Sequence, residues 1–185
     1  MDVVVIYNSK TGFTKKYAEW IAEELSCDTL PYKDFTNTAA DGYDVVIFGS
    51  RVHAGSIEHL KKIKTHFADN PNQKLVVFAT GGTPAAAEEV INKIWNNNLS
   101  EAEIKSIPHF YIQSGLDYGK MNFLDRTIMK SAAMILSKVK NKNDDEAGFE
   151  QAIKNSYDSS SKDYIMPLVS FVKGYIAANQ GFKRE

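Results

Sequence analysis

The apolar run Val3-Val4-Val5-Ile6-Tyr7 leads through Asn8 into Ser9-Lys10-Thr11-Gly12-Phe13-Thr14 and then into an amphipathic helical pattern. No other junction in the chain constrains the fold as strongly. Consecutive apolar residues read as a strand buried on both faces, the condition of a strand inside a parallel sheet. A hydroxyl-rich turn around one glycine then sends the chain into a helix. Such a turn gathers backbone N–H groups on one point and sits at the positive end of the helix dipole. With the Ser9, Thr11 and Thr14 hydroxyls as further donors, it suits a phosphate without any arginine. The alternative is an ordinary strand-to-helix turn capped by Thr14. Lys10 either helps to hold the anion or points to solvent.

The alternation continues downstream. Tyr17, Ala18, Ile21, Ala22 and Leu25 share one face of a helix over about 14–26. A short strand near 28–32 is interrupted by Pro31 and therefore belongs at a sheet edge. Tyr43 to Gly49 reads as a second buried strand, and Leu60, Ile63 and Phe67 mark the helix after it. Lys74 to Thr80 is a third strand. Pro84, suited to a first helical position, opens a helix that continues through Val90, Ile91, Ile94 and Trp95. Ile107 to Gln113 is the last strand and 165–178 the last helix. Strands alternating with helices predict an α/β fold in three layers, a parallel five-stranded sheet with helices on both faces, as one domain over 1–185. Ligands of such sheets bind at the carboxyl ends of the strands, near the switch in strand order.

Composition narrows the function classes. At 185 residues, with 43% apolar and 24% charged side chains, the chain has the makeup of a globular domain. A net charge of −1 argues against a nucleic-acid partner. Cys27, the single cysteine, cannot form an internal disulfide and reads as a small apolar side chain. The first strand begins almost at Met1 and no window has the uncharged length to span a bilayer, so a cytoplasmic location is expected. His59, His66 and His109 lack metal-ligand spacing, and no metal site is expected. His53 either lies against a ligand, shifting protons there, or hydrogen-bonds to backbone. The turn after the first strand is neither Gly-x-Gly-x-x-Gly nor an NTPase phosphate loop. Asn8 stands where a phosphoacceptor receiver would carry an acid.

One segment breaks the alternation. The stretch 116–163 between the last strand and the last helix is far longer than an ordinary connection. Met121, Leu124, Ile128, Ala132, Ile135 and Val139 keep helical spacing, broadened by Met129, Met134 and Leu136. Lys120, Arg126, Lys130, Lys138, Lys140 and Lys142 accompany a lone acid, Asp125. The basic and apolar segment 120–142 is a candidate for peripheral contact with a membrane. The tract 143–163 is acidic and serine-rich, and Ser159-Ser160-Ser161 is expected to be a mobile loop.

Three loops leave the carboxyl ends of the central strands. The first is the hydroxyl-rich turn. In the second, Gly49-Ser50-Arg51-Val52-His53-Ala54-Gly55, the glycines let backbone approach a ligand and Arg51 to Ala54 lie along its face. The third, Thr80-Gly81-Gly82-Thr83-Pro84, offers successive N–H groups in a small concavity. Together they suit one flat ligand.

A hydroxyl residue, any residue, Thr-Gly, any residue, then Thr is met at every position from Ser9 to Thr14. With Tyr43 to Ser50 and Ala79 to Gly82, it makes the chain resemble the flavodoxin family over about 2–115. The resemblance implies sheet order 2-1-3-4-5 and an FMN cofactor. Its phosphate would lie on Ser9, Lys10, Thr11, Gly12, Phe13 and Thr14. Ser50, Arg51, Val52, His53, Ala54 and Gly55 would meet the flavin near N5 and one ring face. Thr80, Gly81 and Gly82 would give backbone N–H groups to the N1/O2 edge, where reduction builds negative charge and fixed dipoles set the potential. Tyr118 either covers the ring face that the third loop leaves without an aromatic, or caps the core beside the insertion.

A second resemblance is narrower. Gly115-Leu116-Asp117-Tyr118, Phe123-Leu124-Asp125-Arg126 and Met129-Lys130 are similar to the flavodoxin-like, menaquinone-dependent protoporphyrinogen dehydrogenases. These carry a helical insertion here and pass electrons from a porphyrinogen to quinone. The resemblance implies an FMN-dependent oxidoreductase with a quinone or other small-molecule acceptor. The alternative is an electron carrier between redox proteins. Carriers of this fold are typically strongly acidic, and this chain is near neutral. No catalytic residue and no oligomeric state follow from the sequence.

Overall fold

The computed structural model describes residues 1–36, 38–68, 70, 72–121, 123, 125–127, 130–131, 134 and 155–180. Among them the elements run β1 (Val3–Asn8), α1 (Phe13–Leu25), β2 (Asp28–Pro31), β3 (Val45–His53), β4 (Ser56–Ile57), α2 (Leu60–Ala68), β5 (Lys74–Gly81), α3 (Glu88–Asn98), α4 (Glu101–Ser106), β6 (His109–Gln113), β7 (Gly115–Leu116), β8 (Tyr157–Asp158) and α5 (Met166–Gln180). The main sheet is ordered β2-β1-β3-β5-β6, with β4 paired to β3 alone. All pairings along the main path are parallel. With the short β4 set aside, this is the expected order 2-1-3-4-5.

Two apolar layers explain why the strands carry unbroken apolar runs. Side chains alternate across a strand, so Val3, Val5, Val45, Ile47, Val76 and Phe78 face one side. There they pack on Tyr17, Ala18 and Ile21 of α1 and on Leu168, Val169 and Val172 of α5. Val4, Ile6, Val46, Phe48, Leu75 and Val77 face the other side, against Leu60, Ile63 and Phe67 of α2 and Ile94 and Trp95 of α3. Each of β1, β3 and β5 thus supplies both cores, and polar residues gather where it ends.

The structure departs from the sequence reading at several points. Pro84 does not open α3, which starts four residues later at Glu88. The Ala85 N–H donates to Gln113 Oε1 at 2.9 Å and Ala87 N–H to Pro84 O at 3.0 Å, so this stretch is a turn tethered to β6. Val90, expected on the buried face, is exposed. Helix α4 was not expected, although Ser100 and Glu103 form a capping box at its start.

Ser159-Ser160-Ser161, expected to be a mobile loop, is held by hydrogen bonds from all three of its amides. Ser159 N–H donates to Ser114 O at 3.1 Å, Ser160 N–H to Asp158 Oδ1 at 2.8 Å, and Ser161 N–H to the Tyr17 hydroxyl at 3.3 Å. These bonds follow from β7 pairing with β8, which returns the chain to the sheet. Helical backbone occurs at 123, 125–127, 130–131 and 134. The helical positions Leu124, Ile128, Met129, Ala132, Ile135, Leu136 and Val139 lie outside the described residues, as does most of the acidic tract.

Candidate cofactor site

The hydroxyl-rich turn forms because Gly12 takes φ 98°, a left-handed backbone that glycine adopts without a Cβ penalty. Gly12 is the N-cap of α1, and no side chain caps the helix. The Gly12 N–H donates to Ser9 Oγ at 3.2 Å, which leaves the Ser9 O–H free to donate elsewhere. No acid lies in the first turn, and among the described residues the Phe13, Thr14 and Lys15 N–H groups have no acceptor. A helix start with unpaired donors and no carboxylate in its first turn can accept an anion.

Thr14 does not cap this turn. It lies inside the helix, only 2% exposed, with its hydroxyl 2.8 Å from that of Thr80, tying α1 to β5. Lys10 is paired with Glu58 at 3.6 Å. A second lysine, missed by the sequence reading, stands at the turn: a Cβ on Gly12 would lie 3.8 Å from Lys120 Nζ, which pairs with Asp117 at 3.3 Å. Phe13 packs its ring against Gly115, bringing the start of α1 to β7.

The second loop is largely strand. β3 continues through Ser50, Arg51, Val52 and His53, and the reversal occupies only Ala54 and Gly55, at φ 49° and 79°. Two left-handed residues make the tight turn whose twist suits a hairpin, and Val52 pairs with Ile57. Asn98 secures it by accepting from Ile57 N–H and donating to Gly55 O, both at 2.8 Å. Gly49 serves the core rather than a ligand: a Cβ there would fall 1.9 Å from the Phe78 ring. Ser50 is buried and accepts from Asn8 Nδ2 at 3.2 Å.

Arg51 is enclosed by charge. It donates to both Glu58 oxygens, from Nε at 3.0 Å and from Nη2 at 2.8 Å, and from Nη1 to Asp125 Oδ2 at 3.0 Å. His53 Nε2 lies 3.1 Å from Asp125 Oδ1, and Asn8 Nδ2 donates to Glu58 at 3.0 Å. Burial pushes the Glu58 carboxyl up, but the Arg51 guanidinium and the Asn8 amide outweigh it and hold it at about 2. The same balance between burial and Arg51 lowers Asp125, which is 7% exposed. Glu58 and Asp125 were not foreseen. The available signal for Asp125 was its place as the one acid in a basic segment.

In the third loop the carbonyls are held from one side. Ser114 N–H donates to Gly81 O at 2.8 Å, the Tyr157 hydroxyl to Gly82 O at 3.1 Å, and the Tyr111 hydroxyl to Thr83 O at 3.1 Å. Among the described residues there are no cis peptides, and a trans peptide directs its N–H opposite to its carbonyl. The Gly82 and Thr83 N–H groups therefore face away from β6 and the β7–β8 ribbon. Among the described residues neither finds an acceptor. Thr80 and Gly81, expected to supply amides here, lie inside the paired length of β5, so the open donors sit one step later.

Tyr118 is half-buried in a turn fixed by its own N–H donating to Ser156 Oγ at 3.0 Å and by Arg126 donating to its carbonyl at 2.5 Å. The remaining histidines pack against rings: His59 stacks on Tyr32, His66 meets Phe35 and Phe67 edge-on, and His109 lies beside Trp95. Among the described residues no three His, Cys, Asp or Glu are grouped to hold a metal. Burial pushes the Cys27 thiol up to about 11. No helix of the described residues is long and apolar enough to cross a membrane.

Residues 4–146 match a family described as a flavodoxin domain. No curated relative matches the chain. Among solved structures, a flavodoxin from the domain Archaea is 16% identical, covering 84% of this chain and 100% of its own, at a TM-score of 0.39. A WrbA-like flavodoxin protein from Agrobacterium tumefaciens is 15% identical over 82% of this chain and 94% of its own, at 0.39. A flavoprotein in complex with FMN from Lactobacillus acidophilus NCFM is 21% identical over 60% of this chain and 91% of its own, at 0.37.

Proposed function

Since this chain belongs to the flavodoxin-domain family, we propose that it binds FMN at the strand ends and acts as an FMN-dependent oxidoreductase. The observation that carries this reading is a pair of open donor sets, the uncapped start of α1 after β1 and the Gly82 and Thr83 amides after β5, on either side of the β3 hairpin. An anion and a polar ring edge fit those two sets in that order. FMN supplies reversible exchange of one or two electrons when bound.

The chain's own groups divide the work. Ser9 and the first amides of α1 hold the phosphate, with Lys10 and Lys120 beside them. The Gly82 and Thr83 N–H groups face the edge where reduction builds negative charge and stabilise that charge without reorganising. Residues 50–55 flank the opposite edge, and the Arg51–Glu58–Asp125 network keeps them from collapsing into the site. The resemblance to the protoporphyrinogen dehydrogenases favours a quinone or porphyrinogen-type substrate. The segment 120–142, where Phe123 is 86% exposed, would then meet a membrane surface from which an apolar quinone is drawn.

The test begins with the visible spectrum of the purified protein and its titration with FMN. Flavin bands near stoichiometry support the reading, and a colourless protein that FMN does not titrate refutes it. Mixing the reduced protein with quinones and with porphyrinogen then separates the roles. Turnover supports the enzyme; none, with rapid electron exchange to a redox protein, assigns a carrier.

A further inference from the structure

We propose that Tyr157, supplied by the strand that closes the insertion, is a positioning residue for the flavin edge: its hydroxyl fixes the Gly82–Thr83 peptide so that the Thr83 N–H faces the cofactor. This rests on the FMN reading above and adds to it a residue outside the three strand-end loops.

Two successive N–H groups on one side are not the ordinary state of an extended chain, in which they alternate. Each carbonyl must be held separately on the other side. The first is held by the Ser114 amide at 2.8 Å. The second, Gly82 O, accepts the Tyr157 hydroxyl at 3.1 Å, a contact across 75 residues of chain. The two donors sit together because Ser114 directly precedes β7, and β7 pairs with β8 through Leu116 and Tyr157. Close approach is possible because residue 82 is glycine: a Cβ there would stand 2.8 Å from the Tyr157 oxygen. The ribbon is in turn tied to α1, where Lys16 donates to Asp158 at 2.9 Å.

Tyr111 supplies an internal comparison. Its hydroxyl also holds a carbonyl of this loop, Thr83 O, at 3.1 Å. The next residue is Pro84, which has no N–H, so fixing that peptide orients no donor. The two tyrosines make the same bond in the same loop and differ in whether a cofactor would feel it.

Tyr157→Phe removes one oxygen and leaves the ring that packs the ribbon. The freed Gly82–Thr83 peptide loses its orientation, and a donor aimed at developing charge matters more to reduced than to oxidised FMN. Reduced FMN should therefore weaken about tenfold more than oxidised FMN, a potential about 30 mV more negative for a two-electron couple. The experiment measures FMN affinity, midpoint potential and melting temperature for the wild type, Y157F and Y111F. The expected result is a negative shift in potential for Y157F alone, with both variants losing some thermal stability. As a second reading, the Thr83 amide proton should move on FMN reduction in the wild type and much less in Y157F. An unshifted Y157F potential, or equal shifts in the two variants, overturns the inference and leaves FMN binding standing. A wild type that does not bind FMN overturns both.

Discussion

Replacing Glu58 by glutamine tests whether the Arg51 network holds the second loop in place. Glu58 is 19% exposed on its side chain and carries a carboxyl at about 2, against an ordinary 4.5. At 1.36 kcal/mol per pH unit, that difference amounts to about 3 kcal/mol of folding stability at neutral pH. Because the folded-state value is depressed, the stability is fully present above about pH 4.5 and drains away as pH falls toward 2. For a chain of this size Glu58→Gln should lower the melting temperature by about 6–12 °C at pH 7. At pH 3 the deficit should shrink to about 1 kcal/mol, since most of the linkage has then been lost from the wild type. Urea unfolding of both proteins at the two pH values reads the difference directly. Asp125 is present in both proteins, so its own titration largely cancels in the comparison. A deficit equal at pH 7 and pH 3 would show that glutamine disturbs packing rather than charge, and would refute the reasoning.

Gly49→Ala should destabilise the fold by about 2–3 kcal/mol in urea unfolding, because its Cβ would fall 1.9 Å from the Phe78 ring. Adding Phe78→Leu should recover part of that loss, and a double variant no better than the single would contradict the packing argument. Thr14→Val should cost about 1–3 kcal/mol by leaving the buried Thr80 hydroxyl unpaired. In a double-mutant cycle, Thr14→Val with Thr80→Val should cost less than the two singles combined; additive losses would mean that the two hydroxyls do not interact.

The sheet was legible because its strands are buried on both faces. Val3 to Ile6, Val45 to Phe48 and Leu75 to Ala79 each carry an unbroken apolar run, and the fold leaves them no other environment. Gly12 and Ser9 were legible for a local reason, since a left-handed residue before a helix calls for glycine. The second loop was misread because its partner strand is two residues long and held by Asn98, a side chain on α3. Pro84 looked like a helix start because its tether is the Gln113 side chain on another strand. Arg51 with Asp125, Thr14 with Thr80 and Tyr157 with Gly82 lie 66 to 75 residues apart, and no periodicity records such pairings. The capping box of α4 was readable in the sequence and passed over.

The central claim is that the turn from Ser9 to Thr14 grips a phosphate monoester. Titrating the cofactor-free protein with FMN and with riboflavin, by quenching of flavin fluorescence, tests it most directly, because the two ligands differ only in that phosphate. FMN should bind at one equivalent and at least about tenfold more tightly than riboflavin, the worth of roughly one charge-assisted hydrogen bond. Equal affinities for the two, or no binding of either, would contradict the account.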